Sequence, residues 1–363
     1  MLKSDPLNER AFDTLGTILL SERGNKMFDR QIELISDLSL EQFEGLLKKA
    51  ETQRVLRRCL EAFKDTLPRN REDLTQLCES QLSAEQVRVE NVLAVLEKVV
   101  RAFEHRGYPV MVMKTLDHWP DTGSDIDLLA AGEDFQVCEV LENDFHAIQQ
   151  PQSWGDRLAH KFNFRIPGLN ELVEIHVGCL GQTGEQEHLA AGVLSRRFED
   201  QYWHYSFPVP VVEDRIVIAT LQRMYRHYYI RLTDIVNIYQ SLVMRNINFE
   251  NLQVIAEEGS VWPGVATLLM IACQHGVHFG GPSIELPDFV VRAARFNSAG
   301  TYVDRNFLRV PLVPEATNLY LQQLAENARS RNLRALARLS LLPVLASAAF
   351  VAFRVTGNDK GIW

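Results

Sequence analysis

The stretch from Val110 to Leu129 reads VMVMKTLDHWPDTGSDIDLL, and this part of the chain constrains the fold most. It opens with a short apolar run, Val110 to Met113, and a second apolar run, Ile126 to Ala130, overlaps its end. Short apolar runs separated by a polar segment containing Gly and Pro are typical of buried strands joined by a loop. We therefore expect two strands of a sheet here.

Two carboxylates, Asp125 and Asp127, directly follow Gly123-Ser124. Because side chains alternate along a strand, both carboxylates point to the same face. Two neighbouring carboxylates repel each other, and a hard cation such as Mg²⁺ relieves that repulsion because it prefers oxygen ligands. The Gly-Ser pair offers close backbone approach, N–H groups and a hydroxyl to phosphate oxygens.

A third carboxylate, Glu174, lies in the alternating segment LVEIHV, which we predict to be a strand from Leu172 to Val177. Glu174 is 174 − 127 = 47 residues after Asp127, which leaves room for a helix and a returning strand. If the two strands are neighbours, Asp125, Asp127 and Glu174 form a cluster that can hold two Mg²⁺ ions for phosphoryl-type transfer.

In these features the segment resembles the nucleotidyltransferase superfamily that includes DNA polymerase β and small antibiotic nucleotidyltransferases. More narrowly, it is similar to an uncharacterised bacterial nucleotidyltransferase family with a Lys-Gly motif, an Asp-x-Asp-Leu-Leu strand and a later Glu-Leu-His strand. These motifs correspond to Lys114-Thr115, Asp125–Leu129 and Glu174–His176. The resemblance covers roughly residues 85 to 240. It implies that Asp125, Asp127 and Glu174 are catalytic residues and ligands of Mg²⁺.

The candidate nucleotide-binding residues are Lys114, Thr115, Gly123, Ser124 and Arg226. Lys114 is either a point charge for a phosphate or a strand-end lysine in solvent. Thr115 replaces the glycine of the resembled family, and its added bulk favours a degenerate member that binds without catalysis.

We expect His176, Arg231 and Asp234 to lie beside the site and to support it. Arg231 and Asp234 are three residues apart in a predicted long helix from Ile216 to Val243, so they share a face and can pair. That pair is either a helix-stabilising interaction or a support for the active site. His275 and His278 are interpreted as loop histidines and not as a zinc site.

The fold class that we predict is α+β: a small mixed-sheet core flanked by N-terminal and C-terminal helical regions. The predicted divisions are residues 1–82 (helical), 83–210 (nucleotidyltransferase-like core) and 211–363 (helical). The SLEQ at Ser39 predicts a capping box, and SAEQ at Ser83 predicts the start of a helix that ends at His105, before Gly107.

The chain has 363 residues, a net charge of -9 and a sequence pI of about 5.6, which argues against broad nucleic-acid binding. Its five cysteines include no C-x-x-C pair and are typical of reduced thiols in a cytoplasmic protein. The first residues, MLKSDPLNER, contain no apolar run, so we predict no signal peptide.

An apolar run from Leu339 to Phe353 follows a cluster of arginines. It is shorter than the ~20 residues that a membrane span needs. We favour a buried or partner-covered helix, and the alternative is peripheral membrane contact through residues 339–353.

Two functions remain open. The first is transfer of a nucleoside monophosphate from an NTP to a hydroxyl of an acceptor, either a small molecule or a protein side chain. The second is a catalytically degenerate member that serves as a binding or regulatory module.

Overall fold

The computed structural model describes residues 6–304, 306–345 and 347–348, and it confirms an α+β fold with a mixed sheet between helical regions. The N-terminal region consists of helices α1 (Pro6–Leu20), α2 (Lys26–Ser36), α3 (Leu40–Thr52), α4 (Leu56–Thr66) and α5 (Glu72–His105). The capping box at Ser39 is confirmed, since its hydroxyl accepts from the Gln42 N–H and the Gln42 side chain accepts from the Ser39 N–H.

Helix α5 begins at Glu72, so the predicted start at Ser83 is wrong. Leu74 and Cys78 are fully buried and extend the apolar face of the helix toward its N-terminus. The predicted division between residues 82 and 83 therefore lies inside one continuous helix. The C-terminal end at His105 is as predicted, and Gly107 adopts the left-handed conformation common after a helix, with φ 76°.

The central sheet has the strand order β1-β2-β5-β4-β3, and it places the carboxylate-bearing strands side by side. Strands β2 and β5 are parallel, and the other pairs are antiparallel. The elements of this region are β1 (Val110–Met113), β2 (Asp125–Ala130), α6 (Asp134–Phe145), β3 (Ile148–Gln149), α7 (Trp154–Leu158), β4 (Lys161–Arg165) and β5 (Leu172–Val177).

Both faces of the sheet are buried, because successive side chains of each strand point to opposite sides. Val112 and Leu128 belong to a core formed with α5 and α6. Met111 and Leu129 belong to a second core, which also contains buried residues of the N-terminal and C-terminal helices. The two helical regions therefore share one core on the far side of the sheet from α6.

The C-terminal half starts with a helix and a hairpin and then becomes mostly helical. It contains α8 (Glu187–Ser195), β6 (Phe198–Tyr202), β7 (Tyr205–Val209), α9 (Val212–Thr220), a π-helical segment (Leu221–His227), β8 (Tyr229–Ile230), α10 (Leu232–Val243), α11 (Phe249–Glu258), α12 (Trp262–His278), α13 (Asp288–Ala293), a 3₁₀ turn (Ser298–Gly300), β9 (Tyr302–Asp304), β10 (Phe307–Arg309), a second π-helical segment (Leu312–Ala316), α14 (Thr317–Arg329) and α15 (Leu333–Leu339).

The single helix predicted from Ile216 to Val243 is wrong, because the chain breaks at Tyr228, which has a φ of 54°. The next residues, Tyr229–Ile230, pair with β10 and form the edge of a three-stranded sheet. His275 and His278 lie in the last turn of α12, so their assignment to a loop is also wrong.

Within the described part of the chain, no helix has the length and apolarity needed to cross a bilayer. Of the apolar run 339–353, residues 346 and 349–353 lie outside the described residues.

Candidate functional site

The parallel pairing of β2 and β5 brings two of the predicted carboxylates together. Asp127 is the register partner of Glu174, so the two side chains project from adjacent strands on the same face. Ligand atoms of Asp127, Glu174 and His176 all lie within 4.8 Å of one another and could hold a metal ion. The strand of Glu174 thus neighbours the strand of Asp127, which was the condition for the predicted cluster.

Asp125 is not part of this cluster, although it lies on the same face of β2. It is exposed at the start of β2, opposite the half-buried Leu172 of β5. Its carboxylate accepts a hydrogen bond from the Ser124 hydroxyl at 3.2 Å. Of the three predicted metal ligands, the structure therefore groups two, with Asp125 nearer to solvent.

His176 lies at the buried end of the cluster, with 3% of its surface exposed. Its Nε2 is 2.9 Å from Glu174 Oε1 and 4.0 Å from Asp127 Oδ1. Burial lowers the pKa of His176 to about 4, helped by the charge of Lys114. A neutral imidazole at this position keeps a nitrogen lone pair, as metal ligation requires.

Lys114 extends over the cluster from the end of β1. Its Nζ is 2.6 Å from Asp127 Oδ1, 3.5 Å from Glu174 Oε1 and 3.4 Å from His176 Nε2. Of the two alternatives considered for Lys114, solvent exposure is wrong, since 13% of its side chain is exposed. Contact with a phosphate would require the ammonium to leave these partners.

The backbone of Lys114 has a φ of 60°, a conformation that is uncommon outside glycine. Its N–H donates to Asp117 Oδ2 at 3.0 Å, which fixes the turn after β1. Residues held in this region of φ and ψ cost about 1–3 kcal/mol and cluster at functional sites. The turn thus holds the lysine side chain above β2 and β5.

A second lysine, Lys161, was missed by the sequence analysis. Its Nζ is 2.9 Å from Glu174 Oε2 and 2.9 Å from Asp156 Oδ1. Lys161 is the first residue of β4 and pairs with His176 of β5. The sequence pattern that could have identified Lys161 is its position at the start of a strand with alternating polar and apolar residues. The sequence did not show which strand would lie next to that strand.

The charges of the cluster are strongly coupled. Burial would raise the pKa of Glu174, but Lys114, His176 and Lys161 hold it well below its usual range. Burial raises the pKa of Asp127 to about 7, and Lys114 only partly opposes this. Burial would lower the pKa of Lys114, but Asp127 and Glu174 raise it, so the ammonium stays charged. Two adjacent carboxylates with pKa values pushed apart are a feature of catalytic acid–base pairs.

Thr115 points into the protein and is only 2% exposed. Its hydroxyl accepts from the Asp127 N–H at 2.8 Å and lies 3.4 Å from the Asp125 carbonyl oxygen. The hydroxyl predicted to bind nucleotide therefore joins the turn after β1 to β2. The hydroxyl, which glycine lacks, therefore has a structural role here.

Arginines from the N-terminal helical region form hydrogen bonds with the turn that contains Gly123 and Ser124. The sequence analysis did not identify them. Arg54 Nη2 is 2.5 Å from Ser124 Oγ. Arg88 Nη2 donates to Thr122 Oγ1 at 2.9 Å, and Arg88 Nη1 lies 3.4 Å from the Gly123 carbonyl oxygen. The predicted phosphate-binding turn is thus held between cationic side chains.

The predicted pairing of the Arg231 and Asp234 side chains is wrong. Arg231 precedes the first residue of α10, so only its N–H reaches Asp234 Oδ2, at 2.8 Å. The Asp234 carboxylate instead pairs with Arg223 of the π-helical segment, Nε to Oδ2 2.6 Å. The Arg231 guanidinium lies over the rings of Tyr229 and Phe307.

The π-helical segment Leu221–His227 lies beside the cluster, and such segments are frequent at functional sites. Arg226, predicted to bind nucleotide, lines a small cavity together with Lys114 and His176. Among the described residues, the Arg226 side chain has no hydrogen-bond or ion-pair partner. This guanidinium is therefore available to a ligand.

A larger cavity of about 280 Å³ opens on another side of Lys114. Apolar residues of α9 and α10 form part of its wall, and polar groups include Asp117, Arg215 and Asn237. Gln222 and Lys114 line this cavity, the cavity beside Arg226 and a third beside Ser124 and Asp125. The lysine therefore lies where three cavities meet.

No protein-family model matches the chain, and no curated protein is significantly similar to it in sequence.

Proposed function

We propose that the chain is a metal-dependent nucleotidyltransferase that moves a nucleoside monophosphate from an NTP to an acceptor hydroxyl. The observation that carries the proposal is the pairing of Asp127 with Glu174 on adjacent parallel strands, beside a Gly-Ser turn. This arrangement agrees with the motifs in which the sequence resembles the nucleotidyltransferase superfamily. In that chemistry the protein chiefly positions the reactants and neutralises charge.

The donor set is compatible with a divalent cation. Asp127 and Glu174 supply carboxylate oxygens, as Mg²⁺ prefers, and the imidazole of His176 extends the set toward Mn²⁺ or Zn²⁺. We propose Mg²⁺, with Asp125 as the additional carboxylate of a two-ion site. Bound metal would supply Lewis-acid activation of the acceptor hydroxyl and charge neutralisation at the phosphates.

The cationic groups around the cluster fit a triphosphate. Arg226 has no protein partner among the described residues and lines a cavity beside the cluster. Gly123 and Ser124 directly precede β2 and line a cavity together with Arg54, whose guanidinium donates to the Ser124 hydroxyl. A guanidinium can bind two phosphate oxygens at once, which suits Arg226 to this role.

The cavity of about 280 Å³ is the proposed acceptor site. Ligand cavities for drug-sized molecules have volumes of ~300 to 1,000 Å³, so this one suits a smaller molecule, about the size of a sugar. Asp117 lies in its wall, and burial raises the pKa of this carboxyl against the opposing effect of Arg215. The acceptor hydroxyl of a small molecule, or of a protein side chain that reaches into the cavity, would lie next to Lys114.

One observation favours the second candidate, a degenerate module without catalysis. Lys114 and Lys161 already pair with the carboxylates that a metal would use. A lysine that permanently replaced the metal would preserve the fold and the nucleotide cavity without supporting transfer.

The test is release of pyrophosphate from each NTP with Mg²⁺ or Mn²⁺, in the presence of a panel of hydroxyl-bearing acceptors. We expect activity with at least one combination and a loss of at least a hundredfold in Asp127→Asn and Glu174→Gln. The matched control is Asp134→Asn, since Asp134 is a half-exposed carboxylate paired with His160 outside the cluster. Folded wild-type protein without activity under every condition would support the degenerate module.

A further inference from the structure

We propose that the Lys114 ammonium serves as the resident cation of the site in the free protein, and that a divalent metal binds only by displacing it. This inference rests on the proposed function, because it concerns how the same site is loaded. It also predicts that metal alone binds weakly and that an anionic ligand assists it.

The contacts of Lys114 carry the inference. Among the described residues, the groups that could hold a metal are Asp127, Glu174 and His176, and the ammonium lies within 3.5 Å of an atom from each. Its shortest contact, 2.6 Å to Asp127 Oδ1, uses an oxygen that a metal would need. An ammonium and a dication cannot share these atoms, because both would lie within a few ångströms in a buried setting where charges are poorly screened.

The displaced side chain has room to move. Lys114 lines the three cavities around the cluster, so rotation of its long side chain can move the ammonium out without moving β1. One of these cavities is also lined by Arg226, whose guanidinium has no ion-pair partner in the part of the chain that the structure describes. Two cations repel each other there unless an anion lies between them. A phosphate group would therefore hold Lys114 away from the carboxylates and favour metal binding.

Lys161 provides a matched control. It also pairs with Glu174, but through the other carboxylate oxygen, and its second partner is Asp156. Replacing either lysine with methionine removes one positive charge from the neighbourhood of Glu174. Only the change at Lys114 removes the ammonium from Asp127 and His176. If net charge alone determined metal affinity, the two substitutions would have similar effects.

The experiment measures Mn²⁺ binding to the full chain by electron paramagnetic resonance, without nucleotide. We expect Lys114→Met to bind Mn²⁺ at least tenfold more tightly than wild type, and Lys161→Met to change the affinity by less than threefold. The double variant Lys114→Met/Asp127→Asn should lose the gain. Circular dichroism and thermal melting confirm folding, and Lys114→Gln replaces Lys114→Met if the latter does not fold.

Equal or weaker Mn²⁺ binding by a folded Lys114 variant would overturn the inference, and so would an equal gain in Lys161→Met. The pyrophosphate assay separates this from the proposed function. If the wild type transfers nucleotide but Lys114→Met binds Mn²⁺ no more tightly than wild type, only the displacement of Lys114 by metal is refuted. Tighter Mn²⁺ binding in Lys114→Met with an inactive wild type supports the displacement and refutes the proposed transfer. We also expect inorganic triphosphate to tighten the binding of Mn²⁺ to the wild-type protein. It should not tighten the binding of Mn²⁺ to Arg226→Ala.

Discussion

Arg88 of α5 connects the N-terminal helical region to the turn that is proposed to bind phosphate, and its replacement gives a sharp prediction. Its guanidinium pairs with Glu171, Nη1 to Oε1 2.8 Å, and with Glu85, Nη2 to Oε2 2.8 Å. The same group donates to Thr122 and lies near the Gly123 carbonyl. The Glu171 side chain is only 6% exposed, so Arg88→Met leaves a buried carboxylate without this partner.

Breaking a buried ion pair by removing one partner costs about 3–5 kcal/mol. Because 29% of the Arg88 side chain is exposed, water can replace part of the interaction, and we expect a loss of roughly 2–3 kcal/mol in the free energy of unfolding. Urea unfolding followed by circular dichroism measures this loss. The double variant Arg88→Met/Glu171→Gln should recover part of it, because the buried charge is then also removed.

The matched control is Arg101→Met on the same helix. Arg101 pairs with Glu97 at 2.7 Å, but 65% of its side chain is exposed. Exposed pairs of this kind contribute about 0.3–0.5 kcal/mol. If Arg88→Met cost no more than Arg101→Met, the role assigned to the Arg88 network would be refuted.

Three further predictions concern stability. Burial lowers the pKa of His275 to about 4 from 6.5, so the unfolded chain binds a proton that the folded protein does not. The free energy of unfolding should therefore fall by about 2 kcal/mol between pH 7 and pH 5 because of this residue. Urea unfolding of His275→Phe and of wild type at both pH values should show that the variant lacks this loss. An unchanged pH dependence in the variant would contradict the reasoning. Gly276→Ala in α12 should destabilise the protein by about 1–3 kcal/mol because the new Cβ collides with the ring of Tyr239. Gly45→Ala in α3 should stabilise the protein by up to about 1 kcal/mol, since nothing lies within 4 Å of the new Cβ. Melting temperatures that shift in the same direction in both variants would contradict this prediction. Thr115→Val should lower the free energy of unfolding by about 1–2 kcal/mol, since the Thr115 hydroxyl accepts a hydrogen bond from a backbone N–H of β2 at 2.8 Å. Thr115→Ser keeps a hydroxyl and should lower it less. Equal losses in urea unfolding would show that the hydroxyl is unimportant.

Residues that share one face of a single strand could be found from the sequence. The alternation in Leu172–Val177 placed Glu174 and His176 on one face, and β5 has the bounds that were predicted. The apolar runs identified β1 and β2 to within one residue. A strand pattern is strong evidence because its period of two determines which side chains share a face.

The depth of Asp125 could not be predicted in the same way. Strand periodicity gives the face of a residue but not its distance from solvent along the strand. Asp125 begins β2 at the exposed rim, whereas Asp127 lies one step further in, beside Glu174. The sequence therefore identified the right face and could not show which of its carboxylates share a cation.

The arginines that contact the Gly-Ser turn come from parts of the chain that are distant in sequence. Arg54 reaches the Gly-Ser turn from the turn between α3 and α4, and its partner Ser124 is 70 residues away in sequence. Arg88 reaches the same turn from α5, and its partner Gly123 is 35 residues away. Such contacts depend on how the helices pack, which periodicity does not determine. The break at Tyr228 was missed for a related reason, since pairing with β10 stabilises a left-handed residue within an otherwise helical pattern.

The most direct test of a nucleotide site at Asp127 and Glu174 is isothermal titration of the wild-type protein with each of the four NTPs in the presence of Mg²⁺. The same titrations on Asp125→Ala/Asp127→Ala serve as the comparison. We expect Mg²⁺-dependent binding of at least one NTP to wild type, and its loss in the folded double variant. Absence of binding to any NTP by folded wild-type protein, or equal binding by the double variant, would contradict the proposed site.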